Sequence, residues 1–177
     1  MKYIFDFDDV LFMTTKMFKR HMYKVLEDAG VDREEMLEYY RQVRGKEFSL
    51  KNFIKILLER AGKDVSKSPE LYEKIMKKSK DFTNTELIKK VKELGKENCY
   101  IITNGDDDFQ RAKIKYSSLE PLFKGVLVVP ESKKEAVYKI CDQYKDEKVI
   151  FVDDKTIFFN DLDLENHPNL ETVLYTP

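Results

Sequence analysis

The sequence has little cysteine, glycine and proline, and it has no tryptophan. Its 177 residues include 2 cysteines, 6 glycines and 5 prolines. Two cysteines are too few for a disulfide framework or a four-cysteine zinc site. Cys99 and Cys141 both lie in apolar segments, so we expect two reduced thiols packed in the interior. A low glycine and proline content beside 42% hydrophobic residues excludes a low-complexity or disordered chain.

Long hydrophobic runs and an excess of one charge are also missing. The apolar runs are about four residues long, whereas a membrane helix needs roughly 20. Asp6, Asp8 and Asp9 interrupt the apolar amino terminus, which a secretory signal would not tolerate. Lysine and arginine number 32 against 33 acidic residues, which gives no reason to expect a nucleic-acid or membrane partner. We therefore expect a soluble, cytoplasmic protein.

Five short apolar runs are typical of strands. They lie at residues 3–7, 99–103, 126–129, 149–152 and 172–175. Runs that are apolar on both faces are typical of parallel strands buried between helices. Helical periodicity at 104–116 and 133–144 separates the later runs and gives an alternating β/α pattern. The sequence therefore predicts an α/β fold with a Rossmann-like, mostly parallel sheet between helices.

Residues 14–95 contain no convincing strand and predict helices throughout. Apolar side chains recur there at helical spacing, and Gly30 and Gly62 close the first two amphipathic stretches. Thr83 predicts a capping box for the last helix of this segment. We call residues 14–95 the inserted segment, and we predict an all-helical cap there, with the α/β core formed by 1–13 and 96–177.

The inserted segment is locally basic, with 20 lysine and arginine residues against 14 acidic ones. A basic cap over an acidic core would favour an anionic substrate that a cation bridges to the core. Solvated helix surfaces explain the same excess.

Acidic side chains follow two of the predicted strands. Asp6 and Asp8 come at the end of the first strand, and Asp153 and Asp154 follow the fourth. Open α/β sheets bind ligands at the carboxyl ends of their strands, so these carboxylates are expected to share one crevice. Their repulsion is tolerable only if a cation neutralises it. Ligands that are all oxygen favour a hard cation, Mg²⁺.

Thr103 and Asn104 end the second strand and lead into a predicted helix. A hydroxyl followed by backbone N–H groups at a helix start predicts a phosphate-binding site. A cation is expected nearby, because Lys133 or Lys134 opens the helix after the third strand. A capping box at Ser132 predicts Lys133 at the first helical position.

These residues resemble, in order, the four motifs of the haloacid dehalogenase superfamily. The first motif is matched by IFDFDDVLF, the second by YIITNG, the third by ESKKEAV and the fourth by VIFVDD. Each motif alone is a weak signal, but four in the correct order at strand ends and a helix start are a strong one. The resemblance covers nearly the whole chain. The inserted segment resembles a C1 cap, which closes over the site and selects the substrate.

The resemblance implies a phosphatase that forms an aspartyl-phosphate. Asp6 would be the nucleophile. Asp8 would protonate the leaving alcohol and then activate water. Thr103, Asn104 and Lys133 would bind the phosphoryl oxygens. The expected partner is a small phosphorylated metabolite; neither its identity nor the oligomeric state is predicted.

The resemblance also implies a Mg²⁺ site. Its ligands would be the Asp6 side chain, the Asp8 backbone carbonyl and the acidic pair, with Asp154 as a direct ligand and Asp153 direct or water-bridged. The chain departs from the family where Asp9 replaces a common glycine. It also has Lys134 where proline often follows the lysine, which leaves the choice between Lys133 and Lys134 open.

Four other functions compete with the phosphatase interpretation. Family members that break carbon–halogen bonds need no acid at the position of Asp8, so Asp8 favours phosphate chemistry. Phosphoryl transfer to a second alcohol, as in a mutase, requires the same residues and stays open, as does a non-catalytic phospholigand-binding protein. A receiver domain would place the acidic pair early and would lack a helical insertion of this size.

Overall fold

The computed structural model describes residues 1–44 and 48–176 and contains a five-stranded parallel sheet. The strand order is β3-β2-β1-β4-β5, and each neighbouring pair is parallel. The predicted α/β fold is therefore confirmed. The strands are β1 (Lys2–Phe5), β2 (Cys99–Asn104), β3 (Gly125–Val129), β4 (Val149–Asp153) and β5 (Leu170–Leu174).

Helices occupy the connections between these strands. Among the described residues, five α-helices lie between β1 and β2, within the inserted segment, and each later connection holds one α-helix. Within the described ranges, none of the helices is both long and apolar enough to cross a membrane. They are α1 (Lys19–Asp28), α2 (Arg33–Val43), α3 (Leu50–Arg60), α4 (Ser68–Met76), α5 (Thr85–Leu94), α6 (Asp107–Tyr116), α7 (Lys134–Gln143) and α8 (Ile157–Asn160).

The central strands β1, β2 and β4 are buried on both faces of the sheet. Side chains alternate along each strand, so Phe5 and Ile101 join one apolar cluster while Ile4 and Ile102 join another on the opposite face. The cluster of Phe5 also contains the apolar side chains of α1, α3 and α4. The inserted segment therefore shares a hydrophobic core with one face of the sheet.

Both cysteines are buried and neither forms a disulfide. Cys99 belongs to the cluster on the face of Phe5, and Cys141 belongs to the cluster on the other face. Burial raises the pKa of each thiol to about 11. Both thiols are therefore protonated at neutral pH, as packed apolar side chains should be.

Three predicted helix starts were wrong by one to three residues, for local reasons. Helix α6 begins at Asp107, because the Asp106 side chain accepts the Phe109 N–H at 2.8 Å and caps the helix there. Asn84, not Thr83, caps α5. Lys133 occupies the capping position of α7, which begins at Lys134.

Candidate active site

Three carboxylates meet at the carboxyl ends of β1 and β4. Because β1 and β4 are adjacent and Phe5 pairs with Val152, Asp6 and Asp153 follow neighbouring positions in the sheet. One carboxylate oxygen each from Asp6, Asp153 and Asp154 lies within 4.8 Å of the other two. The sequence predicts one crevice for these three side chains and Asp8. The structure brings the three together, and Asp8 is not part of their cluster.

Lys133 lies between two of these carboxylates. Its ammonium is 2.8 Å from Asp6 Oδ1 and donates a hydrogen bond to Asp153 Oδ2 at 2.6 Å. The side chains of Lys133, Asp6 and Asp153 are 1%, 2% and 0% exposed. A buried charge requires such partners, because removal from water is costly. Lys134 instead places its ammonium 5.6 Å from the Tyr138 ring centre, so Lys133 is the lysine at the crevice.

The acidic cluster remains short of positive charge. Burial raises the pKa of Asp6 to about 7; Lys133 opposes this rise, and the charges of Asp153 and Asp8 add to it. Burial also raises the pKa of Asp154, against the effect of Lys155. A carboxyl whose pKa stays raised beside one lysine favours the binding of a further cation.

The donor set of the cluster fits Mg²⁺. All three side chains offer oxygen, the ligand that Mg²⁺ prefers, and they leave positions for water or phosphate oxygens. Asp154 Oδ1 is buried and accepts no hydrogen bond from the described residues. The Lys155 ammonium lies 3.9 Å from this oxygen, beyond hydrogen-bond distance. A buried carboxylate oxygen that has no hydrogen-bond partner and lies beside two other carboxylates is suited to bind a hard cation.

The Asp8 carboxylate lies outside this cluster and accepts hydrogen bonds from three side chains. Thr14 Oγ1 and Lys113 Nζ donate to Asp8 Oδ1, the latter at 2.5 Å. Gln110 Nε2 donates to Oδ2 at 2.8 Å. Burial alone would raise the pKa of Asp8, but the charge of Lys113 and the three hydrogen bonds outweigh it and lower the pKa. Asp8 is therefore ionised in this arrangement.

The sequence patterns do not predict the three partners of Asp8. A weak signal was present, because Gln110 and Lys113 are three residues apart and share a face of the helix that follows Thr103. Their burial shows only in the packed structure, where α6 places that face against the end of β1.

The predicted phosphate-binding residues Thr103 and Asn104 lie at the end of β2. The Thr103 side chain is buried, and its hydroxyl has no hydrogen-bond partner among the described residues. Two nearby backbone groups, in contrast, are already hydrogen-bonded. The Gly105 N–H donates to Val129 O at 3.0 Å, and the Asn104 carbonyl accepts from Gln110 Nε2 at 2.8 Å. The Gly105 N–H is therefore not available to an anion, whereas the Thr103 hydroxyl has no partner among the described residues.

A cavity of about 320 Å³ opens beside Asp8. Its walls come from the sheet end, from α6 and from the inserted segment. The segment contributes both aromatic and basic side chains to the lining, among them Phe18, Lys19, Tyr40 and Arg44. A small molecule in this cavity would contact the core and the inserted segment together.

Comparisons with known proteins give one family match. A family model described as "Hydrolase: haloacid dehalogenase-like hydrolase" matches residues 3–156. No curated protein sequence matches the chain.

Three solved structures share the fold. A proposed haloacid dehalogenase-like hydrolase from Burkholderia xenovorans LB400 is 16% identical with a TM-score of 0.71, covering 97% of this chain and 80% of its own. A proposed β-phosphoglucomutase from Thermotoga maritima is 15% identical with a TM-score of 0.62 and coverages of 100% and 87%. A 2-haloacid dehalogenase from Pseudomonas syringae pv. Tomato DC3000 is 17% identical, with a TM-score of 0.62 and coverages of 99% and 86%. At these identities the similarity shows the fold and not the reaction.

Proposed function

Because this chain belongs to the haloacid dehalogenase-like hydrolase family, we propose that it hydrolyses a small phosphomonoester through an aspartyl-phosphate. The observation that supports this most is the pair of carboxylates two residues apart, with Asp6 buried at the strand end and Asp8 lining the cavity. A halide leaves without a proton, whereas an alcohol leaving a phosphate ester needs one. A second carboxyl at position 8 therefore favours a phosphate ester over a haloacid.

In the first step, an Asp6 carboxylate oxygen bonds to phosphorus while the bond from phosphorus to the ester oxygen breaks. The Asp8 carboxyl gives its proton to that oxygen, so the product leaves as an alcohol. Thr103 and Lys133 are suited to bind the phosphoryl oxygens, since one has a free hydroxyl and the other an ammonium within 2.8 Å of Asp6.

In the second step, water attacks the phosphorus of the aspartyl-phosphate. The Asp8 carboxylate takes a proton from that water, and the bond between phosphorus and the Asp6 oxygen breaks. Inorganic phosphate and the Asp6 carboxylate result, and Asp8 is again protonated for the next ester. Asp8 can take up its first proton from solvent when a phosphate dianion binds beside it, because a nearby negative charge raises its pKa.

We propose that Asp6, Asp153, Asp154 and the Asp8 backbone carbonyl hold Mg²⁺. When bound, Mg²⁺ would supply positive charge to the carboxylates and to the phosphoryl oxygens. The inserted segment would act as a C1-type cap, since it supplies one wall of the cavity. A volume of about 320 Å³ suits a small phosphorylated metabolite.

The test is hydrolysis of p-nitrophenyl phosphate with Mg²⁺, with EDTA, and by Asp6→Asn. We expect turnover with Mg²⁺ and loss in the other two conditions, because each removes either the cation or the nucleophile. Asp142→Asn is the matched control, since Asp142 is an exposed aspartate on α7. Chloride release from 2-chloropropionate without phosphate release would instead identify a dehalogenase.

The same reaction mixture separates hydrolysis from transfer. Equal amounts of p-nitrophenol and inorganic phosphate indicate hydrolysis, whereas a deficit of phosphate in the presence of an added sugar alcohol indicates transfer to it. Absence of all turnover, with a rise in melting temperature on adding phosphate and Mg²⁺, would favour a non-catalytic phospholigand-binding protein.

A further inference from the structure

The Asp8 carboxylate is held on both oxygens by one helix. Lys113 Nζ donates to Oδ1 at 2.5 Å and Gln110 Nε2 donates to Oδ2 at 2.8 Å. Gln110 and Lys113 are separated by about one turn of α6, so both project from the same face. A carboxylate with donors on both oxygens has its rotation about Cβ–Cγ fixed.

Lys113 has an unusual environment for a lysine. Its side chain is 2% exposed, and its ammonium lies 4.9 to 5.8 Å from the ring centres of Phe7, Phe12 and Phe109. Asp8 is the one carboxylate within 4 Å of this ammonium in the part of the chain that the structure describes. An apolar side chain would fill the same space without the cost of burying a charge. The ammonium therefore serves Asp8, not packing.

Gln110 ties the same carboxylate to the end of β2. Its Nε2 donates to the Asn104 carbonyl as well as to Asp8, both at 2.8 Å. Gly105 makes room for this amide, because a Cβ there would lie 3.0 Å from Gln110 Nε2 and the backbone has φ +137°. Asp8 is thus fixed relative to the strand end that presents the Thr103 hydroxyl.

We propose that Lys113 and Gln110 are positioning residues that fix the Asp8 carboxyl for proton transfer to the leaving group and keep it apart from the cluster of Asp6, Asp153 and Asp154. This inference rests on the proposed phosphatase function. Neither residue lies within the metal cluster, and each acts through Asp8.

The test compares two esters with different needs for a proton. Nitrophenolate leaves p-nitrophenyl phosphate without protonation, whereas the alkoxide of glycerol 2-phosphate requires it. The value of kcat/KM reports only steps up to formation of the aspartyl-phosphate, which excludes the later use of Asp8 as a base. We expect Lys113→Met to lower kcat/KM for glycerol 2-phosphate by roughly ten- to a hundredfold, part of the effect of a general acid. This loss of orientation is expected although removal of the ammonium also raises the pKa of Asp8 and favours its protonated form. We expect kcat/KM for p-nitrophenyl phosphate to change by less than about threefold, because its leaving group needs no proton.

Matched variants separate positioning from folding. Lys115→Met changes an exposed lysine on the same helix and should leave both values unchanged. Gln110→Met should reproduce the selective loss if Lys113→Met does not fold. The double variant Asp8→Asn/Lys113→Met should be no slower on glycerol 2-phosphate than Asp8→Asn alone. An equal loss on both esters, or a further loss in the double variant, would overturn the inference.

A measurement that needs no turnover tests the contact between Lys113 and Asp8 even if the proposed function fails. If the wild-type protein hydrolyses neither ester, the phosphatase proposal fails. Urea unfolding of the wild type, both single variants and the double variant then measures coupling between Asp8 and Lys113. Additive effects in that cycle would overturn the inference whatever the activity. Coupling without turnover would show that Lys113 holds Asp8 in place, but it would overturn the role in proton transfer.

Discussion

Burial and the neighbouring Lys133 ammonium have opposite effects on the pKa of Asp6. Burial is the larger effect and raises the pKa to about 7, well above the ordinary 3.8. The folded state therefore binds a proton at Asp6 between about pH 4 and 7, where the unfolded state does not. Because the folded state binds more protons there, Asp6 lowers the free energy of unfolding as the pH rises through this window.

We predict that Asp6→Asn removes this component of the pH dependence. In EDTA, the wild-type free energy of unfolding should fall from pH 5 to pH 8 more steeply than that of Asp6→Asn, in urea titrations at both values. The pKa of Asp8 is shifted down and titrates below this window, so it does not obscure the comparison. Asp142→Asn should keep the wild-type slope. Identical slopes for wild type and Asp6→Asn would contradict a raised pKa at Asp6.

The two sides of the site differ in how far the sequence predicts them. Asp6, Asp153 and Asp154 converge because the carboxyl ends of adjacent parallel strands share an edge, so strand prediction alone places them together. Lys113 reaches Asp8 only because α6 is rotated to present that face. Such a rotation depends on the packing of many side chains, which no short pattern contains.

At the scale of elements, the turn after β1 depends on one residue with positive φ. Asp9 has φ +60°, and its carboxylate accepts hydrogen bonds from Thr15 N at 2.7 Å and Thr15 Oγ1 at 2.6 Å. The family commonly has glycine at this position, and the left-handed backbone explains why glycine is suitable. Asp9 offsets the backbone cost with two hydrogen bonds to the start of the inserted segment.

We predict that Asp9→Ala destabilises the protein by about 1 kcal/mol more than Asp9→Gly, because alanine keeps the left-handed strain that glycine lacks. Both variants lose the bonds to Thr15, so their difference isolates the backbone cost. Asp9→Asn should be the mildest change, since asparagine tolerates this conformation and keeps an acceptor. Urea unfolding of the three variants gives the comparison, and equal values for alanine and glycine would disprove the strain.

Helix boundaries show the limit of sequence patterns at this scale. The pattern at 104–116 is helical throughout, yet α6 begins at Asp107 because Asp106 caps it. Asn84 and Thr83 are both suitable capping residues, and the sequence does not decide between them. The Thr83 hydroxyl donates to Lys80 O at 3.1 Å instead. The 3-10 turn at Ser79–Phe82 provides that acceptor, so Thr83 ends this turn and Asn84 caps α5.

At the scale of the whole molecule, the two apolar clusters share the strands of one sheet. Cys99 lies in β2 on the face that the inserted segment covers, with its Sγ 3.9 Å from Val91 O in α5. Cys141 lies in α7 on the opposite face. If either apolar cluster came apart, apolar side chains of the shared strands would be exposed to water. We therefore expect the two clusters to unfold cooperatively.

We therefore predict that the two thiols become reactive together as urea is raised. Cys99→Ala leaves Cys141 as the probe of one face, and Cys141→Ala leaves Cys99 as the probe of the face under the inserted segment. In each variant, the midpoint of labelling by a thiol reagent should coincide with the midpoint of far-ultraviolet circular dichroism. Labelling of Cys99 well before loss of the dichroism signal would mean that the inserted segment opens on its own. Such separate opening is not expected, because Phe5 of the sheet and the buried side chains of α4 belong to one apolar cluster. The inserted segment therefore shares its hydrophobic core with the sheet.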